Sequence, residues 1–292
     1  MRGKKDLTSW YLLALTALVL LGGQRFLYKV SAETGCNSAV TTFSFMGTVA
    51  VMSWGAWLAV GRGIEHPWGL LAVALANSLG FLISALATIE ALRELPASVT
   101  YTVTRLSTVL VVLFSLFYFR ERLTPAQGAG VALALAAILL FARSRGESAG
   151  GSGSYRRGLA LALLAVLGGA AASISSKFAA LHVDKFGFMA VSYTLSAAFS
   201  LLAKRKLLTS RPGQRTRPAL WIGLAMGLTN FAGYYALLKA LAVGPLSIIA
   251  PLTSMYFVMA ILLSLLFYRE RLTALRVAGV VLTVLSIVLM KV

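Results

Sequence analysis

The amino-acid sequence predicts an all-α membrane protein of ten transmembrane helices, built as two inverted five-helix repeats. Three observations predict it: an apolar, charge-poor composition, a Gly/Ser-rich segment near mid-chain, and a copy of one half within the other. Hydrophobic residues fill 59% of the 292 positions and charged residues only 12%, with a mean hydropathy of +0.83. A soluble domain carries about 25% charged residues, so most of this chain's surface cannot face water. A membrane-crossing helix needs about 20 apolar residues. Spans of that kind fit at 9–29, 38–60, 68–92, 97–119, 125–142, 158–178, 186–203, 219–241, 246–268 and 273–291. The basic start, Met1 to Asp6, followed by the apolar run from Trp10, imitates a signal peptide. The run continues to about Tyr28 without a convincing small-residue cleavage pattern, so it reads as the first span.

Residues 143–157 contain Gly146-Glu147-Ser148-Ala149-Gly150 and further Gly and Ser, the composition of a flexible linker. They divide a first repeat at 1–142 from a second at 158–292. Sliding the chain by 149 positions aligns Ala91–Phe141 with Ala240–Met290 without a gap, with 20 identities in 51 positions. Arg120-Glu121-Arg122-Leu123-Thr124 matches Arg269-Glu270-Arg271-Leu272-Thr273, and Pro96, Ser98 and Gly130 match Pro245, Ser247 and Gly279. Apolar composition alone does not yield a charged pentapeptide in register with an upstream proline. Each half has an odd number of spans, so the second starts from the opposite side of the membrane. Inverted repeats of this kind recur in secondary transporters, where they supply two nearly equivalent conformations. Small residues let membrane helices approach closely. Ala72, Ala76, Gly80 and Ser84 in span 3, and Gly223 and Gly227 in span 8, are such stripes.

Two five-span halves, a proline opening spans 4 and 9, and the Arg-Glu-Arg-Leu-Thr hinge before spans 5 and 10 resemble the EamA-type drug/metabolite transporters. The resemblance spans essentially the whole chain. It implies a transporter, in a family that includes exporters of amino acids and other metabolites, with both termini in the cytoplasm. The related small multidrug resistance proteins rely on a glutamate in their first helix. Span 1 here has Gln24 as its central polar group and no acidic residue, which argues against proton-coupled export of cationic drugs.

A charge at bilayer depth costs about 2.5–3.5 kcal/mol on insertion scales and needs a partner, a wet cavity or a route to the interface. Arg105 is the deepest cation, amid Thr100, Tyr101, Thr102, Thr104, Ser107 and Thr108, and the other repeat has Ser254 in its place. Either it binds a carboxylate or phosphate through its planar fork, or carbonyls and snorkelling satisfy it. Arg25, Lys29 and Lys177 lie near enough to helix ends to snorkel, with a place in the cavity as the alternative for each. Asn77 and Asn230 fall mid-span and one helical turn apart under the repeat, as cavity residues or as interhelical glue. Of Tyr234 and Tyr235, one is expected to line a cavity and the other to pack. Glu90 is the acid closest to mid-membrane and the candidate for proton coupling, with an interfacial carboxylate as the alternative. Glu121 and Glu270 are expected to pair with neighbouring arginines, and Pro251 to kink span 9 or act as a hinge. The substrate-binding set is therefore Arg105, Asn77, Asn230, Tyr101, Tyr234 and Gln24.

Other functions find little support. The net charge of +18 sits in short runs between apolar segments, which suits lipid headgroups rather than nucleic acid. One cysteine and two histidines cannot form the usual metal clusters, and no cofactor is implied. The Gly-x-Ser-x-Gly match at Gly146–Gly150 lies in a linker, not on a strand-to-helix turn. The expectation is a transporter in the cell membrane, not an enzyme, that exports a small polar metabolite such as an amino acid or organic acid. A flippase for a lipid-linked sugar and a non-transporting scaffold are the alternatives. The expected partners are the bilayer and a small molecule, with a homodimer left open. Orientation criteria disagree. Lys204, Arg205, Lys206, Arg211, Arg215 and Arg217, with Arg143, Arg145, Arg156 and Arg157, lie opposite the termini, so the charge count favours termini outside. Cys36, alone in the loop after span 1, suggests itself as a labelling site.

Overall fold

The structure is a computed structural model that describes residues 2–61, 63, 66–95, 97–144, 155–202, 215–268 and 274–291. Most of the predicted linker, Pro96 and the second Arg-Glu-Arg-Leu-Thr copy with Glu270 lie outside the described residues. The described residues form α1 (Arg2–Glu33), α2 (Ser38–Val60), α3 (Pro67–Glu94), α4 (Ala97–Thr104), α5 (Leu106–Tyr118) and α6 (Pro125–Ser144) in the first half. The second half holds α7 (Tyr155–His182), α8 (Lys185–Leu202), α9 (Arg217–Val243), α10 (Leu246–Ser254), α11 (Tyr256–Tyr268) and α12 (Ala274–Lys291). Four of these are long and apolar enough to cross a membrane by length and composition: Ser9–Glu33, Val40–Val60, Pro67–Ala91 and Tyr155–His182.

Local chemistry sets the helix starts. Asn37 Oδ1 accepts from Val40 N at 3.2 Å and Asp184 Oδ1 from Gly187 N at 2.8 Å, which satisfies free N–H groups of α2 and α8. Ahead of α6, Thr124 and Gln127 bond reciprocally: Gln127 N donates to Thr124 Oγ1 at 3.2 Å and Thr124 N to Gln127 Oε1 at 3.1 Å. This capping box satisfies two orphan donors at once, and Pro125 takes the first helical position, where a missing N–H costs nothing.

Packing inverts the pattern of a soluble protein. Small residues such as Ala14, Ala17, Ala74, Ala134 and Ala179 are fully buried, while Val51, Leu58, Phe117, Leu266 and Phe267 stand exposed on the periphery. Lipid tails are as apolar as these side chains, so association rests on close approach rather than on hydrophobic burial. The main pairings cross between halves: α1 with α9, α3 with α7, α2 with α8, α5 with α10, and α6 with α12. Exchanging the halves turns α1–α9 into α7–α3 and leaves α2–α8 and α6–α12 as they are, and the further pair α2–α9 becomes α8–α3; α5–α10 joins the two broken segments without such a counterpart among the main pairings.

Backbones meet at glycines. A Cβ on Gly80 would lie 2.8 Å from Gly168 O, and one on Gly168 would lie 2.7 Å from Gly80 O. Gly223 and Gly227 likewise abut α2 at Thr41 O and Phe45 O. The predicted stripe on α3 is only partly used, since Ala72 and Ala76 are exposed. The N-terminal part of α3 instead turns Leu70, Ala74 and Ser78 inward, with Ser78 Oγ donating to Ser192 O of α8 at 2.9 Å. Replacing Gly168 by Val should destabilise the protein by about 1–3 kcal/mol, the usual cost of overpacking. Gly128→Ala, where nothing lies within 4 Å of the new Cβ, should be nearly neutral. Thermal unfolding of both variants in detergent checks the contrast.

Candidate functional site

The predicted continuous spans 97–119 and 246–268 are each broken, at Arg105 and at Met255. Arg105 corresponds to Ser254 under the repeat, so the two breaks differ by a single position. Tight turns close them: Thr108 N donates to Arg105 O at 3.1 Å and Met255 N to Leu252 O at 3.2 Å. Pro251, inside α10, cannot donate to the carbonyl four residues back. Thr253 Oγ1 bonds Ile249 O at 2.7 Å, a back-bond that bends helices. The first break has Thr102 in place of the proline and falls after a run rich in β-branched residues, Val99 to Thr104, whose stiff side chains weaken helix. The breaks touch: Thr108 Oγ1 and Ser254 Oγ are 3.3 Å apart.

Around this crossing lies a cavity of about 340 Å³. That volume is at the small end of ordinary ligand pockets. Its wall includes Gln24, Arg25 and Tyr28 of α1, Asn77 of α3, Arg105, Ser176 of α7, Tyr193 of α8, and Asn230 and Tyr234 of α9. Among the described lining residues are two guanidinium groups and no carboxylate. The polar groups are ordered by one another. Tyr193 Oη donates to Asn230 Oδ1, and Asn230 Nδ2 donates to Gln24 Oε1 at 3.2 Å. Asn77 Nδ2 donates to Ala172 O at 2.7 Å and to Ser176 Oγ at 3.1 Å, and Ser176 Oγ lies 2.9 Å from Tyr234 Oη. The hydroxyl of Ser192, a residue of the wall, is buried and has no hydrogen-bond partner among the described residues.

Of the predicted substrate-binding residues, Arg105, Asn77, Asn230, Tyr234 and Gln24 therefore share one cavity. The Tyr101 side chain lies outside the described residues. Glu90, near the end of α3, is not among the lining residues. Pro251 is buried and precedes the break at Met255 by four positions, rather than sitting at it. Tyr235 points away from the cavity and stacks on Phe186, ring centroids 4.5 Å apart. Arg25, given above as a snorkelling candidate, stands in the wall with its guanidinium 4.8 Å from the Tyr256 ring centroid and 5.6 Å from that of Tyr28. Tyr28, three positions after Arg25, shares its helix face and could have signalled this. Nothing in the sequence singles out Tyr193.

One end of the cavity is held by Glu121, which does not pair as the sequence suggests. Arg120 adopts φ 52, a left-handed turn after α5. Glu121 then accepts from Leu246 N at 2.8 Å, Ser247 N at 2.9 Å, Ser247 Oγ at 2.6 Å and Ser115 Oγ at 2.5 Å. A carboxylate of the first half thus caps α10 of the second, where helix N–H groups and the dipole favour negative charge. Lys177 does not snorkel. Its Nζ donates to Leu241 O at 2.8 Å and Gly244 O at 2.7 Å at the end of α9, with Glu121 Oε1 at 3.9 Å.

A helical bundle with paired helix breaks and a polar cavity between two halves is the architecture of a membrane transporter. The EamA-like transporter family model matches residues 8–143 and again 156–292, so the chain belongs to that family. No curated protein matches it. A solved structure, described only as the crystal structure of a protein, shares 22% identity and superposes with a TM-score of 0.74. The match covers 97% of this chain and 96% of that one, and it supports the fold.

The Glu121–Lys177 contact yields a stability prediction, because the two side chains are only 11% and 8% exposed. Lys177→Met removes the cation beside Glu121 and leaves the carbonyls of Leu241 and Gly244 without their donor, and should cost about 1–3 kcal/mol. Adding Glu121→Gln should recover part of that loss. A double-mutant cycle of melting temperatures in detergent measures the coupling; purely additive losses would show that the two groups do not interact.

Proposed function

We propose that the chain is a secondary transporter whose helices cross the cell membrane ten times, as two inverted five-span repeats. It exports a small anionic metabolite, an amino acid or organic acid, by alternating access. In this count α4 with α5, and α10 with α11, each form one broken span. Support comes from the loops that meet. The turn after α1 pairs with the chain leading into α9, Asn37 N donating to Arg215 O at 3.1 Å. Arg157 at the start of α7 lies 3.7 Å from Glu94 at the end of α3. Glu121 after α5 meets the start of α10, and Tyr11 donates to Ile287 O. Every such pairing joins loops an even number of spans apart, as antiparallel neighbours require. The half-swapping helix pairs add the approximate two-fold relation that inverted repeats imply.

The observation that carries the transport reading is the polar cavity at the two helix breaks, with Arg105 in its wall. Irregular backbone at bilayer depth is tolerated where it is buried or lines a water-filled cavity. Asn77, Asn230, Gln24 and Tyr234 supply donors and acceptors for a ligand whose anionic group meets Arg105. Export follows the resemblance to exporters of amino acids and metabolites. A packing-only scaffold has no use for such a lining.

Two measurements test this. The purified protein should be stabilised by one or more carboxylate or phosphate compounds in a panel that also holds neutral solutes and lipophilic cations. At a hundred times Kd the shift corresponds to about 2.7 kcal/mol. Arg105→Ala should remove the response; stabilisation by cations, or a response indifferent to the mutation, would sink the assignment. For orientation, Cys36 is a poor reporter, because it is 4% exposed, with Sγ 3.1 Å from Thr34 Oγ1. Glu33, exposed in the same turn, is a better site. In a Cys36→Ala background, Glu33→Cys should react with membrane-impermeant maleimide in intact cells if the termini are cytoplasmic. Labelling only after permeabilisation would reverse the orientation.

A further inference from the structure

Arg25 is the cavity's second cation, and its placement says more about the solute than Arg105 does alone. Arg105 is the residue at the first helix break. The second repeat has Ser254 at the matching position and so brings no cation of its own to the second break. Arg25 fills that role from a different helix. Its guanidinium lies 4.8 Å from the ring centroid of Tyr256, the residue immediately after the break at Met255. Tyr28, on its own helix, presents a second ring at 5.6 Å. Two tyrosine rings therefore flank the guanidinium, and Tyr256 also hydrogen-bonds it; a guanidinium has five N–H donors, so others remain for a solute.

At each break a positive and a negative helix end meet: α5 and α11 begin there and α4 and α10 end there. The net charge of the wall, about 340 Å³ of cavity, therefore comes from the two guanidinium groups. A monoanion engages one cation and leaves the other without an anionic group of the solute. A solute with two acidic groups engages both.

We propose that Arg25 is a specificity-determining residue and that the transported solute is a small molecule with two carboxylates, a dicarboxylate or an acidic amino acid. This rests on the anion-transport reading above and narrows its substrate class. The test compares near-isosteric pairs, glutamate with glutamine and succinate with butyrate, as melting-temperature titrations on the full-length protein in detergent. At least one compound with two carboxylates should act at a concentration ten-fold or more below its partner. Arg25→Gln should shrink that ratio to about three-fold or less. Arg25→Lys, which keeps the charge, should retain most of the preference and controls for loss of fold, as does a monodisperse gel-filtration profile. Equal midpoints for both members of every pair in the unaltered protein overturn the proposal, and so does a preference that survives Arg25→Gln. If compounds with one carboxylate then still depend on Arg105, the anion-transport reading stands and only the two-carboxylate inference falls. Silence of every anion removes both.

Discussion

Glu121 holds the two halves in register. Its carboxylate takes two backbone N–H groups at the start of α10 and the hydroxyls of Ser115 and Ser247. Hydrogen bonds to a charged group contribute about 1.5–3 kcal/mol each, against several kcal/mol for removing the charge from water. The balance is favourable only because every oxygen finds donors. Lys177 completes the arrangement by closing the carbonyl end of α9. The negative group meets a helix N-terminus and the positive group a helix C-terminus, each matched to the dipole it faces. The turn between α9 and α10 is thereby fixed at both ends by residues from α7 and from the α5–α6 connection. Thr124, three positions after Glu121, starts α6 through its capping box, so one short motif sets two helices in different halves.

With that joint in place, the remaining contacts follow the exchange of halves. α1 lies on α9 as α7 lies on α3, and the glycine approaches at Gly80–Gly168 and at Gly223 and Gly227 make such contacts possible without hydrophobic burial as a driving force. The helices of one half are packed chiefly against the other. A rocking motion between two nearly equivalent arrangements then exchanges cross-half contacts and leaves few contacts inside a half to break. The proposed transport cycle needs that property, and the pairing pattern favours it.

The all-helical, two-repeat architecture was readable because apolar runs and the Arg-Glu-Arg-Leu-Thr repeat are local signals. The breaks were only half readable. Pro251 announces a disturbance in span 9, but Thr102 replaces it in span 4, and a single threonine run does not mark a break. Depth along the chain pointed to Asn77, Arg105, Asn230 and Tyr234, and Gln24 stood out as the central polar group of span 1; all five line the cavity. For Arg25 and Lys177 the same reasoning put snorkelling ahead of an interior position. Each is instead held by groups distant in sequence: Tyr256 for Arg25, Leu241 and Gly244 for Lys177. Glu121 was misread for the same reason, since its partners are 125 and 126 positions away and its neighbouring arginines are the obvious local choice.

Cavity and breaks have one origin. An unpaired backbone group in hydrocarbon costs several kcal/mol, so an interrupted helix must be enclosed by protein or face water. Both interruptions fall at matching places in the repeat, so the fold's approximate two-fold brings them to one point, where Thr108 meets Ser254. The interior there is polar because the backbone demands it, before any ligand is considered. Symmetry alone, however, would make the site indifferent to which way a solute lies. The substitution of Arg105 by Ser254 in the second repeat breaks the equivalence, and Arg25, offered from α1 beside Tyr256, restores the charge in a different geometry. The two cations are held by unlike neighbours, a helix break on one side and a pair of tyrosine rings on the other. A solute with two distinguishable ends has a preferred orientation in such a cavity, which a strictly symmetric site does not provide.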